Sequence, residues 1–271
     1  MPELPEVETI VRQLRERGVA GRTIEQVRIA WAPMIAPYSK RAFTRRLQNK
    51  QILSVERRGK WIELALSDGH FLFIHLRMAG SFSDQPSPHD RAVMKLSGDL
   101  HLYYRDTRKF GRWLWVEDPK TITDRLGPDA LSRRFSCSYF TKLLATRSRQ
   151  LKPLLLDQAC VAGLGNIYAD EALWLSQLHP QRRADTLTQK EVQALHTAIR
   201  KVLRIGVANR GTSLGEGKSN YRDMEGSSGE NRAQVQAYGR GGKPCPRCGT
   251  PLIKIVVAQR GTTLCPRCQM Q

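Results

Sequence analysis

Two pairs of cysteines near the end of the chain constrain its folding more than any other feature of the sequence. Cys245-Pro-Arg-Cys248 and Cys265-Pro-Arg-Cys268 are separated by sixteen residues. Each Cys-x-x-Cys places two thiolates on one tight turn, and a hairpin of that length brings both turns around one tetrahedral Zn²⁺. Because the protein supplies all four ligands, the spacing predicts a structural zinc site and not a catalytic one.

A large excess of positive charge indicates which kind of molecule the chain binds. Its 271 residues include 44 Lys and Arg but only 25 Asp and Glu, which leaves a net charge of +19 at pH 7. Residues 231–271 contain seven Lys or Arg and no acidic residue. Such a charge attracts polyanions, so we expect a nucleic-acid partner. In this basic setting, Arg260 at the tip of the zinc hairpin is expected to contact a phosphate.

The composition also excludes several classes of protein. Hydrophobic residues make up 40% of the chain, which is enough for real cores and excludes wholesale disorder. No run of about 18 apolar residues occurs, which excludes a membrane span. The acidic start MPELPEVETI lacks the apolar segment of a secretory signal. We therefore expect a cytoplasmic protein, with Cys137 and Cys160 as small buried apolar residues.

Hydrophobic periodicity predicts a strand-rich first half and a helical second half. Val7, Ile10, Val11 and Leu14 form one apolar stripe, which predicts a helix that stops at Gly18. Strands are predicted next, at 23–31, 52–55, 61–66, 71–76, 92–96, 100–104 and 113–116. Many short strands separated by turns indicate a sandwich or barrel. Helical periodicity follows at 140–145, 154–156, 167–175 and 192–207, so we expect a domain boundary near residue 131.

The first residues provide a candidate nucleophile. Met1 precedes Pro2, and an initiator Met is usually removed before a small residue, which exposes the secondary amine of the proline. An α-amino group titrates near ~8, so a useful fraction is neutral at physiological pH. A neutral amine attacks an electrophilic carbon and forms a Schiff base, here a cationic iminium. Glu3 is adjacent and is a candidate general acid.

Seven short motifs occur in order along the chain and carry a family resemblance. They are Pro2 to Glu8, Arg58-Gly-Lys60, His75-Leu-Arg-Met78-Ala-Gly80, Asp106-Thr-Arg108-Lys-Phe110-Gly111, Leu151-Lys152-Pro153, Gly163-Leu-Gly165-Asn166-Ile-Tyr168 and the four-cysteine hairpin. On these motifs the chain resembles the bacterial formamidopyrimidine-DNA glycosylases, which are bifunctional base-excision repair enzymes. Gly163 and Gly165 lack the third glycine of a dinucleotide fingerprint; instead they allow a phosphate to approach a helix start, with Asn166 as its N-cap.

The resemblance implies an α+β fold with three parts. An N-terminal β-sandwich flanked by a catalytic N-terminal helix would occupy residues 1–131. A helical helix–two-turn–helix region with the lesion-recognition loop would occupy residues 132–236, and the zinc finger residues 237–271. Gly211 to Tyr238 corresponds to the loop that closes over an extruded base, and residues 214–221 make it longer than in many relatives. There Thr212, Ser213 and Tyr221 would offer hydrogen bonds.

The resemblance also implies a reaction. Pro2 would attack C1′ of the damaged nucleotide and displace the base, and Glu3 would supply the proton that helps to open the sugar ring. The iminium would then acidify the C2′ proton, so the strand is cut by successive β- and δ-elimination. Lys60 would touch phosphate and assist catalysis. Arg260 is also predicted to be a catalytic residue.

Further residues are implied to contact DNA. Met78, Arg108 and Phe110 match the residues that fill the void left by the extruded base. Lys152 and Asn166 would lie on the DNA backbone, with His89 and Tyr238 as additional phosphate contacts. Glu6 would either lie near the base pocket or stabilise the helix start.

Three functions remain open on the sequence. The first is a glycosylase and lyase for 8-oxoguanine and formamidopyrimidines in double-stranded DNA, including abasic sites. The second is an endonuclease VIII-like enzyme for oxidised pyrimidines, although the PELPEVE start favours the purine enzyme. The third is a non-enzymatic zinc-ribbon binder, which would not need a free Pro2 amine. We expect a nucleoid-associated bacterial monomer without a membrane or protein partner.

Overall fold

The computed structural model describes residues 1–215 and 221–271, which form two compact units. The first unit comprises residues 1–124 and 207–232, and the second comprises residues 125–206 and 233–271. Segment 207–232, which we predicted within the helical region, thus packs with the strand-rich unit. The three-part division at residues 131 and 236 stays a prediction.

The first unit consists of two antiparallel sheets, three helices and one shared core. One sheet has the order β1-β6-β7-β5 and the other β2-β3-β4-β8. The strands are β1 Ile24–Ile29, β2 Ile52–Arg58, β3 Trp61–Leu66, β4 Phe71–His75, β5 Ser81–Ser83, β6 Asp90–Leu96, β7 Leu100–Arg105 and β8 Arg112–Val116. The helices are α1 Leu4–Glu16, α2 Lys40–Leu47 and α3 Lys120–Thr123. One continuous core takes side chains from both sheets and from α1, so the predicted β-sandwich is confirmed.

Helix α1 forms where its apolar stripe predicted it. Pro5 lies in the first turn, where its missing N–H costs nothing, and Gly18 follows the last turn with a φ of +64°. Val7, Ile10 and Val11 are fully buried. Burial of this stripe against the sheets fixes α1 and therefore fixes the residues that precede it.

Helices α2 and α3 and strand β5 of the first unit were missed by the sequence analysis. Helix α2 is capped by Ser39, whose side chain accepts from the backbone N–H of Ala42, and it buries Phe43 and Leu47 at i, i+4 spacing. Strand β5 is only three residues long and pairs with β7. A short capped helix and a three-residue strand give too little periodicity to stand out from a loop.

The second unit is helical and ends in a hairpin. Its helices are α4 Cys137–Ala145, α5 Leu151–Leu156, α6 Asn166–Leu175 and α7 Gln189–Ala208, the last of which ends in the first unit. Strands β9 Ile253–Val257 and β10 Arg260–Leu264 form the hairpin. Cys160 is buried as expected, whereas Cys137 at the start of α4 is only half-buried, so that expectation was wrong for Cys137. Within the described ranges, no helix combines the length and apolarity needed to cross a membrane.

Candidate functional site

The residues before α1 form a buried and hydrogen-bonded start of the chain. Pro2 and Glu3 are both buried, and Glu3 is the N-cap residue of α1. Glu6 Oε2 accepts from the backbone N–H of Glu3 at 2.7 Å, and the two residues form a capping box. The predicted nucleophile therefore lies on an ordered segment and not on a frayed terminus.

An amine at this position has a lowered basicity. Burial lowers the pKa of the Met1 amine below its ordinary 8.0, and the positive charges of Lys60 and Arg108 lower it further, while Glu3 and Glu6 oppose this. Removal of Met1 makes the nitrogen of the buried Pro2 the new N-terminal amine. The charges of Glu3, Lys60 and Arg108 therefore all act on the amine of Met1, the residue before Pro2.

Lys60 lies on a two-residue turn between β2 and β3. Arg58 pairs with Trp61 across the hairpin, and Gly59 has a φ of +60° that suits glycine. The Lys60 side chain is only 5% exposed, unlike an ordinary surface lysine. The turn is braced by Arg57, whose Nη1 donates to Gly59 O at 3.1 Å and whose Nε donates to Glu8 Oε2 at 2.7 Å.

Met78 projects from a tight turn that follows β4. The Gly80 N–H donates to Leu76 O at 2.9 Å, and Arg77 within the turn has a φ of +55°. The Arg77 N–H donates to Nδ1 of His75 at 3.0 Å, and burial lowers the pKa of His75 to about 3, so its ring is neutral. Met78 itself is 37% exposed, a large exposure for an apolar side chain.

Arg108 and Phe110 project from a second turn, which follows β7. Both oxygens of the buried Asp106 hold this turn: Oδ1 accepts from the Arg108 N–H at 3.1 Å and Oδ2 from the Gly111 N–H at 2.7 Å. The Arg108 guanidinium lies 5.2 Å from the centre of the Phe110 ring, which is 54% exposed. A planar cation and an exposed ring thus sit together on one rigid turn.

His89 lies on the exposed loop before β6. Asp90 holds this loop, because its Oδ2 accepts from the Ser87 N–H at 2.7 Å. The His89 side chain is exposed, so it is accessible to a ligand from solvent.

Segment 211–231 bonds back onto α1. The Thr212 N–H donates to Glu6 Oε1 at 2.7 Å, and the Tyr221 hydroxyl donates to Glu6 O at 3.4 Å. Ser213 Oγ donates to Tyr221 O at 2.6 Å and accepts from the Gly229 N–H at 2.9 Å. The three predicted recognition residues are thus engaged within the protein, while most of predicted loop 214–221 lies outside the described residues.

In the second unit, Lys152 was predicted to contact DNA directly, but its side chain is buried. Its ammonium is fully buried and lies 2.5 Å from Asp170 Oδ1, 2.7 Å from Thr262 Oγ1 and 3.0 Å from Gly261 O. A phosphate has no access to a group buried in this way, so the prediction of a direct contact was wrong in this conformation. Lys152 instead ties α5 and α6 to the hairpin.

Asn166 also bonds the hairpin. Its Nδ2 donates to Gly261 O at 3.0 Å, the same carbonyl that Lys152 bonds. Gly165 and not Asn166 is the N-cap residue of α6, so that detail of the prediction was wrong. The approach of a phosphate to this helix start stays a prediction.

Tyr238 is fixed through its backbone. The buried Glu171 accepts three N–H bonds of 2.8–2.9 Å, from Gln236, Ala237 and Tyr238. Three donors on one carboxylate specify the path of the chain at this point. The Tyr238 side chain is half-buried.

Arg260 begins β10 and is exposed at the hairpin tip. Ala258 and Gln259 make the turn with φ values of +46° and +62°, which is the pattern of a type I′ turn. The backbone beside Arg260 is fixed, because Gly261 O accepts hydrogen bonds from both Lys152 and Asn166.

The four cysteines at the base of the hairpin fit one zinc ion. Their sulfur atoms all lie within 4.8 Å of one another. A tetrahedral site with Zn–S bonds of about 2.3 Å needs sulfurs about 3.8 Å apart. The Trp174 indole N–H donates to Cys245 Sγ at 3.4 Å, and the Arg247 guanidinium lies 4.5 Å from the centre of the Trp174 ring. The site is therefore anchored to the end of α6.

Several residues that organise the site were missed by sequence reasoning. They bond or pack against the predicted residues or their turns but have no predicted role in the reaction or in binding: Tyr104, Asp170, Glu171 and Trp174. One signal was available, since Asp170 and Glu171 are adjacent acids within the apolar run of α6. Buried acids of this kind need hydrogen-bond partners, but the sequence does not name them.

Three family models match successive parts of the chain. They are the formamidopyrimidine-DNA glycosylase N-terminal domain at residues 1–113, the formamidopyrimidine-DNA glycosylase H2TH domain at residues 126–216, and the zinc finger found in FPG and IleRS at residues 242–270. Each agrees in position with motifs described above.

Relatives and solved structures are similar over the full length. A formamidopyrimidine-DNA glycosylase of Herpetosiphon aurantiacus is 43% identical over 99% of this chain and 100% of its own. The MutM (FPG) protein of Thermus thermophilus is similar in structure, with a TM-score of 0.90 and 43% identity over 99% of this chain and 98% of its own. Wild-type Lactococcus lactis Fpg, solved with DNA containing N7-benzyl-Fapy-dG, has a TM-score of 0.89 and 36% identity over 100% of both chains.

Proposed function

Because the chain belongs to the formamidopyrimidine-DNA glycosylase family, we propose that it excises oxidised purines from duplex DNA in base-excision repair and then cuts the strand at the abasic site. The observation that carries this proposal is the buried start of the chain, where Pro2 precedes the capping box of Glu3 and Glu6. Burial lowers the pKa of the Met1 amine at this position, and a Pro2 amine with a similarly lowered pKa would suit a Schiff-base mechanism at neutral pH.

We propose the following roles around the sugar. The neutral Pro2 nitrogen attacks C1′, the C1′–N bond to the base breaks, and Glu3 delivers a proton to the ring oxygen as the ring opens. The resulting iminium draws electrons from C2′, whose proton is lost as the 3′ phosphate leaves, and a second elimination releases the 5′ phosphate. Lys60 neutralises phosphate charge beside this centre, and its burial strengthens that effect.

We propose that the exposed side chains of the two turns enter the duplex. Met78 and Phe110 are apolar and exposed, so covering them with the stacked bases of a duplex would be favourable. Arg108 beside Phe110 presents donors to the orphaned base. His89, Asn166, Tyr238 and Arg260 are proposed as phosphate contacts, and Lys152 as a residue that positions the Arg260 hairpin.

A structural zinc completes the second unit. Cys245, Cys248, Cys265 and Cys268 would hold it, and the metal would fix the hairpin that carries Arg260. The division of the chain at residues 131 and 236, a monomeric state, and a cytoplasmic, nucleoid-associated location remain proposals.

Borohydride trapping on two duplexes tests the proposed function. One duplex carries 8-oxoguanine opposite cytosine and the other an oxidised pyrimidine. We expect a covalent adduct and cleavage to phosphate ends on the first duplex, and neither from Pro2→Gly or from protein that retains Met1. A dominant adduct on the second duplex would favour the endonuclease VIII-like function. Tight binding without any adduct would favour the zinc-ribbon binder.

A further inference from the structure

A buried phenol lies between the two turns that carry the predicted void-filling residues. Tyr104, near the end of β7, is completely buried. A Cβ atom at Gly80 would lie 2.4 Å from the Tyr104 hydroxyl oxygen, and a Cβ atom at Gly111 would lie 1.9 Å from it. Gly80 closes the Met78 turn, and Gly111 closes the Arg108–Phe110 turn. The hydroxyl is thus in contact with both turns.

The Tyr104 hydroxyl is not held there by a hydrogen bond. It has no partner among residues 1–215 and 221–271, although it is fully enclosed. A buried hydroxyl without a partner destabilises the fold, so its value at this position is not hydrogen bonding. Its steric contribution is visible in the structure, because the oxygen lies in the space that separates Gly80 from Gly111.

We propose that Tyr104 is a positioning residue whose hydroxyl sets the spacing between the Met78 turn and the Arg108–Phe110 turn. The inference rests on the proposed function of these three side chains in filling the void. Because all three must enter one gap in the duplex, their relative placement decides whether the damaged base stays extruded. Glycine is required at 111 for the same reason, since residue 111 has no positive φ that would demand it.

Exchanging the hydroxyl for a methyl group at the same place tests this spacing. Tyr104→Phe removes the oxygen and leaves a gap, whereas Gly111→Ala inserts a methyl group into the space that the oxygen fills. We expect each single variant to release 8-oxoguanine at least about fivefold more slowly than wild type. The double variant Tyr104→Phe/Gly111→Ala removes the contact with the oxygen. The two remaining contacts of the new Cβ atom, Tyr104 Cζ at 2.9 Å and Asp106 Oδ2 at 3.1 Å, belong to side chains and not to backbone. We therefore expect the double variant to be faster than Gly111→Ala alone.

Gly80→Ala provides the matched control. A Cβ atom there would also lie 2.4 Å from Leu76 O and 2.9 Å from Leu76 Cα, and these backbone atoms stay when the hydroxyl is removed. We therefore expect Tyr104→Phe to rescue Gly111→Ala but not Gly80→Ala. Equal rescue of both variants, or rescue of neither, would overturn the proposal.

Cleavage of a preformed abasic site separates positioning from general damage to the fold. That substrate has no base to extrude. We therefore expect the fold-loss of activity that Gly111→Ala causes to be at least about threefold smaller on the abasic site than on 8-oxoguanine. An equal loss on both substrates would contradict the inference. If wild type acts on neither substrate, the proposed function fails; the spacing is then still tested by melting temperature, which the double variant should raise above that of Gly111→Ala.

Discussion

The Glu6 carboxylate and the Thr212 backbone N–H, 206 residues apart in sequence, are joined by a hydrogen bond of 2.7 Å. The other Glu6 oxygen accepts from the Glu3 N–H, so one side chain binds both the start of the chain and segment 211–231. One Glu6 oxygen thus stabilises the helix start, as one of its two sequence-based alternatives has it, and the other bonds the segment predicted to close over the base. The other alternative, that Glu6 lies near the base pocket, stays a prediction.

Replacing Glu6 by glutamine should leave one of these buried N–H groups without an acceptor. We expect Glu6→Gln to lower the free energy of unfolding by about 1–3 kcal/mol. Denaturant unfolding at pH 7 measures this, with Glu16→Gln at the exposed end of α1 as the control. Equal stability of both variants would contradict the double role of Glu6.

Lys60 should influence the pH dependence of base release as well as its rate. Its charge lowers the pKa of the Met1 amine, and we expect the same effect on the Pro2 amine once Met1 is removed. Removal of the charge would then raise that pKa and leave less neutral amine at acidic pH. We expect the fold-loss of activity caused by Lys60→Met to be at least about threefold larger at pH 6 than at pH 8. Single-turnover base release across pH 5.5–9 measures this. A loss that is uniform with pH would leave Lys60 as a phosphate contact only.

The parts of the fold that the sequence predicted are those with long apolar periodicity or fixed ligand spacing. Helix α1 and the four-cysteine hairpin belong to this class. The short helix α2 and strand β5 were missed because their few residues are specified by tertiary contacts, such as the pairing of Ser81 with Arg105.

The candidate site shows a similar division. Motifs indicated candidate residues for the reaction, but not which of them are accessible. Lys152 illustrates this, since its sequence neighbours do not reveal that Asp170, eighteen residues later, neutralises it in the interior. The spacing of two turns by a steric contact, such as that of Tyr104, produces no pattern in a single sequence and could not be predicted.

His75 should make the folded state sensitive to moderate acid. Burial lowers its pKa to about 3 in the folded state, whereas about 6.5 is normal for the unfolded chain. Below about pH 6.5 only the unfolded chain takes up this proton, so stability is lost as the pH falls, by up to about 1.4 kcal/mol per unit. His75→Asn keeps an acceptor for the Arg77 N–H but does not titrate. We expect wild type to lose about 2 kcal/mol more than this variant between pH 6.5 and pH 5.

Lys152 and Arg260 should differ in their effect on the salt dependence of DNA binding. Arg260 is exposed and proposed to contact a phosphate, so Arg260→Met should reduce the slope of log K against log salt by about 0.9. Lys152 is buried, so Lys152→Met should leave the slope unchanged. It should instead lower the free energy of unfolding by about 3–5 kcal/mol, because Asp170 is left unpaired. If Lys152→Met lowered the slope, that result would support the original prediction that Lys152 contacts a phosphate directly.

Trp174 should strengthen zinc binding through its hydrogen bond to Cys245. A donor to a zinc-bound thiolate stabilises the charge on the sulfur, and loss of such a bond typically costs about 10-fold or more in metal affinity. Trp174→Phe removes the N–H but keeps an aromatic ring beneath Arg247. We expect the variant to lose zinc to a chromophoric chelator about tenfold more readily than wild type. Trp31→Phe in the first unit is the matched control, and equal zinc retention by the two variants would show that the indole N–H does not act on the metal site.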